Sequence, residues 1–170
     1  MARYKRANQY PLTQQQKEAV RYHRLYQGGQ MNDMKYVLLR DMQTFAVYMG
    51  WYNLEKGLYS FLSVHELAVF GHTVCKVCGA PQTRAYFDSK LSGRGEDPEN
   101  PSMTEKEALL SAFAEALMRD PRRVPEEIYE KMNSVYKEPE MVKLTAFAFQ
   151  LQASCHFEEA VMQPDSPEES

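Results

Sequence analysis

Cys75 and Cys78, in the run Cys75-Lys-Val-Cys78-Gly79, are the residues of this 170-residue chain whose type and spacing point most directly to chemistry. Three residues apart on a helix, they lie about 60° from each other with Cα atoms about 5 Å apart, inside the range a disulfide tolerates. Such a pair forms and breaks its bond without large rearrangement. Attack on a peroxide or a disulfide requires a thiolate, so one cysteine needs a helix N-terminus, a cation or a base beside it. His72, three residues before Cys75, is the nearest base, and Lys76 adds positive charge. Glu66 could join His72 in relaying protons to the pair.

Two other uses of the pair stay open. The Cys-x-x-Cys-Gly form is that of a zinc knuckle, with His72 or the Cys155-His156 pair completing the ligands. Against zinc, there is no second Cys-x-x-Cys, and adjacent Cys155 and His156 would point to different helix faces. The remaining reading is two inert core thiols. Other candidates have plain structural alternatives: Glu66 as the acid of a helix cap, His65 as a helix-start residue, His23 as a surface residue among Arg21 and Arg24. Tyr48, Trp51, Tyr52 and Tyr59 either line an apolar pocket or pack as core.

The elements that must position these residues read as helices throughout. Thr13-Gln-Gln-Gln16, Ser63-Val-His-Glu66 and Thr104-Glu-Lys-Glu107 each have the form of a capping box. The first predicts a helix ending at Gly28-Gly29, and the second a helix running toward the cysteines. Residues 31–77 hold two or three helices, with breaks near Gly57 and Ser63. Residues 89–104, with Gly93, Gly95, Pro98 and Pro101, read as a loop between two helical halves. Ala108, Leu109, Ala112, Phe113, Ala116 and Leu117 then recur on one helical face. Pro125 suits a first helical position, Ile128, Met132 and Val135 form the next stripe, and the last helix spans about 141–160. No segment sustains period-two alternation. The expectation is an all-α antiparallel bundle of about seven helices.

Composition narrows the class. With 44% hydrophobic and 12% aromatic residues the chain can bury a real core, which excludes global disorder. Lys and Arg number 20 against 23 Asp and Glu, so the balance does not point to nucleic acid. No apolar run approaches the ~20 residues of a membrane helix, and Met1 to Lys17 lacks the apolar stretch of a signal peptide. Three cysteines are too few for a disulfide-stapled secreted domain. The expectation is a cytoplasmic protein with a basic arm or helix over 1–30, one domain over 31–160 and a disordered acidic tail over 161–170.

The stretch Met103-Thr-Glu-Lys-Glu-Ala-Leu-Leu-Ser-Ala-Phe-Ala-Glu-Ala-Leu-Met-Arg-Asp-Pro, followed by Val124-Pro-Glu-Glu-Ile-Tyr and Glu140-Met-Val-Lys-Leu-Thr-Ala, resembles the C-terminal half of the carboxymuconolactone decarboxylase and alkylhydroperoxidase D-like superfamily. The likeness covers about 103–159, and 75–85 extends it upstream. It implies an all-α fold assembling as a homotrimer or hexamer, with the active site near a subunit interface. In the thiol branch of that superfamily, a glutamate, a Cys-x-x-Cys and a histidine four residues after the second cysteine relay protons. Carried over, Cys78 would attack a peroxide and become a sulfenic acid. Cys75 would resolve it to a disulfide, and a dithiol reductant or partner redox protein would restore the pair, with no cofactor beyond that disulfide. Two positions depart from the pattern. Gln82 stands where the histidine belongs and cannot shuttle protons. Glu66 lies nine residues before Cys75, closer than the superfamily places its glutamate, and nine residues turn an unbroken helix by about 180°. The implied function is a thiol-dependent peroxidase or disulfide oxidoreductase. The alternatives are a non-catalytic scaffold with structural or zinc-binding cysteines, and an enzyme acting on a small aromatic or lactone acid.

Overall fold

The computed structural model describes residues 4–27 and 30–161. The expected helix end at Gly28-Gly29 lies outside the described residues, as does the disordered tail expected over 161–170 except for Val161, which is helical and buried. Within them the chain is helical without strands: a 3-10 turn Ala7–Gln9, then α1 Gln14–Tyr26, α2 Asp33–Leu38, α3 Met42–Gly50, α4 Tyr52–Leu58, α5 Val64–Cys78, α6 Pro81–Ser92, α7 Glu105–Arg119, α8 Glu126–Val135 and α9 Glu138–Val161. The all-α class stands, and no described helix is long and apolar enough to cross a membrane.

The three capping boxes form as the sequence predicts. At Thr13, Ser63 and Thr104 the hydroxyl accepts the backbone N–H of the residue three on, whose side chain accepts the cap's own N–H. Among the described residues nine α-helices stand in place of about seven, because residues 31–77 break more often than the glycines suggest. Asn32 and Asp41 each cap a short helix, accepting the backbone N–H of Lys35 at 3.0 Å and of Thr44 at 2.7 Å. Gly57, expected to break a helix, lies inside α4. The loop expected over 89–104 starts later, since α6 runs on to Ser92 and buries Leu91 against Ala68 and Val69. Pro125 stands just before α8 rather than at its first position.

The chain divides into two compact units, one of residues up to Asn53 together with those from Phe157, the other Leu54–His156. The divisions fall after Asn53 and after His156 rather than at residue 30. In the first unit, Ala7 and Val20 from the basic N-terminal stretch share a core with Leu38, Leu39, Phe45 and Met49, and the stretch carries helix α1. His23, expected at the surface, is fully buried. It lies on the inward face of α1 with Val20 and Gln27, its Nδ1 at 2.9 Å from Gln27 Oε1 and its Nε2 at 3.1 Å from Lys35 Nζ. Burial and then the Lys35 charge push its pKa down to about 4, the Gln27 bond opposing them. Tyr48 packs on Trp51 and Phe157, so these rings serve as core.

The second unit carries the cysteines. Its core takes Leu67, Phe70 and Val74 from α5, Phe87 from α6, Leu110, Phe113 and Leu117 from α7, Met132 from α8, and Leu144, Phe147 and Leu151 from α9. Only Gly79 and Ala80 separate α5 from α6, which makes the two helices antiparallel neighbours. Gly71 sets how closely they approach: a Cβ there would fall 2.3 Å from a ring carbon of Phe87.

Candidate functional site

α5 ends at Gly79, whose φ of 76° is the left-handed conformation that glycine adopts without strain. Both cysteines therefore sit on the helix's last turn. Cys75 is fully buried in the core of the second unit, and Cys78 is half-buried with its Sγ 3.8 Å from the thioether sulfur of Met118 on α7. Both are thiols, as is the fully buried Cys155. This is the end that the Ser63 capping box predicts, with the helix running toward the cysteines. A C-terminal end carries partial negative charge, which opposes a thiolate instead of assisting it.

The expected relay is only partly assembled. Glu66 stays in the first turn of α5, accepting the Ser63 backbone N–H at 2.6 Å and pairing with Lys106 at 2.8 Å. Nine residues of helix separate it from Cys75, about 13 Å of rise, so its work is at the cap. Burial opposes its charge, but the bonds to Lys106 and Ser63 outweigh that and hold its pKa below the usual range. Gln82 sits half-buried in the first turn of α6. His72 is 4% exposed, and its Nδ1 lies 2.6 Å from Asp88 Oδ1 across the α5–α6 hairpin. Arg84 holds the other oxygen of Asp88 at 3.3 Å. Asp88 had no signal of its own in the sequence.

His72 lines a cleft of about 430 Å³ between α5, α7 and the connection that joins α6 to α7. Lys76 and Glu99 face each other there at 3.0 Å, and Arg119 pairs with Glu115 at 2.5 Å. The cysteines do not line this cleft. His72 thus occupies the side of α5 next to the thiol face, and the two groups define separate sites on one helix.

A second histidine, read as a helix-start residue, proves to be a tie point. His65 Nδ1 bonds Glu107 of α7, and its Nε2 lies 3.0 Å from Glu96 in the α6–α7 connection. Thr104 donates its backbone N–H at 2.8 Å and its hydroxyl at 2.9 Å to the other oxygen of Glu107. Burial disfavours the imidazolium, but bonds and charges from Glu107 and Glu96 outweigh it and raise the His65 pKa. Glu107 is likewise opposed by burial and held below its ordinary value by His65 and Thr104. A raised histidine stabilises fully below its unfolded value of 6.5 and loses this as pH rises through its folded value. A depressed carboxyl stabilises fully above 4.5 and loses this as pH falls through its folded value. The tie is therefore strongest between the two. Urea unfolding is expected to show His65→Gln costing about 1–2 kcal/mol inside that window and less on the alkaline side. An equal cost at pH 5.5 and pH 9 would contradict a charged His65.

Among the described residues, no group of three or more His, Cys, Asp or Glu side chains is placed to hold a metal ion. The zinc set of Cys75, Cys78 and His72 is thus not gathered in this arrangement, with His72 turned to Asp88. Comparison with protein-family models, curated proteins and solved structures gives no match for this chain.

Proposed function

We propose that Cys75 and Cys78 form a reversible dithiol–disulfide pair that exchanges with a partner disulfide or, more slowly, reduces a hydroperoxide. The observation that carries this reading is their unequal burial on one helical turn: Cys78 is half-buried, whereas Cys75 is enclosed behind it. An attacking thiol needs access, and a resolving thiol needs to be adjacent and shielded from competing reagents. The alkylhydroperoxidase D-like resemblance, with an oligomeric assembly and a dithiol reductant, belongs to the same proposal and assigns the two roles in the same order.

In the exchange, the Cys78 thiolate attacks one sulfur of the partner disulfide and the other sulfur leaves as a thiolate. Cys75, deprotonated in turn, attacks Cys78 Sγ and displaces the second partner thiol. The partner gains two electrons and the pair becomes a disulfide. With a hydroperoxide, Cys78 takes the distal oxygen, the O–O bond breaks and an alcohol departs. Cys75 then displaces water from the sulfenic acid.

A helix C-terminus beside the thiols and glutamine at position 82 both favour disulfide exchange over fast peroxide reduction. Neither supplies the low thiol pKa on which rapid attack depends. The direct test treats reduced Cys75→Ser with an aromatic disulfide. One mixed disulfide per chain, mapped to Cys78, is expected. Reaction mapped to Cys155, or none before unfolding, would contradict the assignment.

A further inference from the structure

The cleft beside His72 takes no part in the thiol chemistry, since neither cysteine lines it. Its charged lining is balanced, with Lys76 and Arg119 against Glu99 and Glu115. These side chains are about half exposed or more, between 44% and 73%. Exposed ion pairs contribute little to stability, so opening them to a ligand costs little. A purely anionic or purely cationic ligand would satisfy one pair of charges and leave the other uncompensated. A zwitterion replaces both kinds of partner.

His72 supplies the fixed point. With Nδ1 held by Asp88, and Asp88 held in turn by Arg84, Nε2 is the ring nitrogen left to the cleft. In the tautomer that donates Nδ1–H to the carboxylate, Nε2 accepts a proton donor. Glu99 is held at 3.0 Å by Lys76 and at 3.3 Å by Arg84, both replaceable ion pairs at a half-exposed carboxylate. His72 and Glu99 both line the cleft as acceptors for an ammonium group, and Arg119 lines it as a partner for a carboxylate. Val77, Pro101 and Met103 form an apolar wall for the rest of the molecule. A cleft of this size falls in the range of small-ligand pockets.

We propose that this cleft binds a free α-amino acid with an apolar side chain, its ammonium held by His72 and Glu99 and its carboxylate by Arg119. The site shares α5 with the cysteines but does not depend on them. The test is calorimetric titration of the full chain with L-leucine, N-acetyl-leucine and leucine amide, the last two each lacking one charge. Leucine is expected to bind, with each blocked analogue at least tenfold weaker. Glu99→Gln, at an exposed position in the α6–α7 connection, is expected to weaken leucine at least tenfold. His72→Gln is expected to do the same, while Cys75→Ser with Cys78→Ser leaves binding within twofold. No leucine binding at millimolar concentration would overturn the proposal. So would equal affinity for leucine and its blocked forms, or wild-type affinity in Glu99→Gln.

Discussion

Cys78→Ser is expected to abolish disulfide exchange, lowering turnover of a small disulfide at least about 100-fold, while Cys75→Ser reacts once and stops. The two variants fail differently because burial gives the thiols different positions. Cys78 is the half-buried sulfur beside Met118, and Cys75 lies in the core behind it. Serine at 78 leaves no accessible thiol on the last turn of α5. Serine at 75 leaves the attack intact but removes the thiol that would release the partner. Mass spectrometry of stopped reactions distinguishes the cases: Cys78→Ser shows unmodified protein, Cys75→Ser a stable adduct. Equal residual turnover in both variants would mean that exchange runs through another residue.

Gly71→Ala is expected to destabilise the second unit by about 3 kcal/mol, although alanine is the better helix former by about 1 kcal/mol. The added methyl carbon would sit 2.3 to 2.5 Å from three ring atoms of Phe87. That ring is 1% exposed and packs edge-on to Phe147 and Tyr86, so it has nowhere to retreat. Gly71→Ala should also loosen the hairpin that brings Asp88 to His72, one residue along on each helix. Urea denaturation checks the magnitude. Phe87→Leu added to Gly71→Ala is expected to cost less than the sum of the two single changes, because the smaller side chain makes room for the methyl. A stability gain in Gly71→Ala would show that α5 and α6 stand further apart than described.

What was legible in the sequence was local. The capping boxes at Thr13, Ser63 and Thr104 are complete within four residues, and each of them forms. Asn32 and Asp41 cap their helices equally well, but Lys35 and Thr44 stand where a glutamate or glutamine would have signalled a box. α6 buries only Phe87 and Leu91, too sparse a stripe to announce its end at Ser92. The cysteine pair was legible as a pair, since three-residue spacing on a helix is itself geometry. Its surroundings were not. Glu66 is drawn into a cap by Ser63 and Lys106, and the orientation of His72 depends on Asp88, 16 residues away on the next helix. His65 meets Glu107 across 42 residues of sequence, a contact that no local spacing encodes. His23 shows the same limit: its neighbours Arg21 and Arg24 suggest a solvated face, but position 23 belongs to the inward stripe of α1 with Val20.

The most direct test of the dithiol proposal is a redox titration of the wild-type chain in buffers of graded thiol–disulfide ratio, followed by rapid alkylation and peptide mapping. One two-electron transition is predicted, with Cys75 and Cys78 oxidised together in a single disulfide and Cys155 remaining a thiol at every potential. Oxidation of Cys78 alone as a mixed disulfide with the buffer thiol, with Cys75 still reduced, would show that the buried thiol does not resolve. The pair would then be two separate cysteines that happen to share a turn.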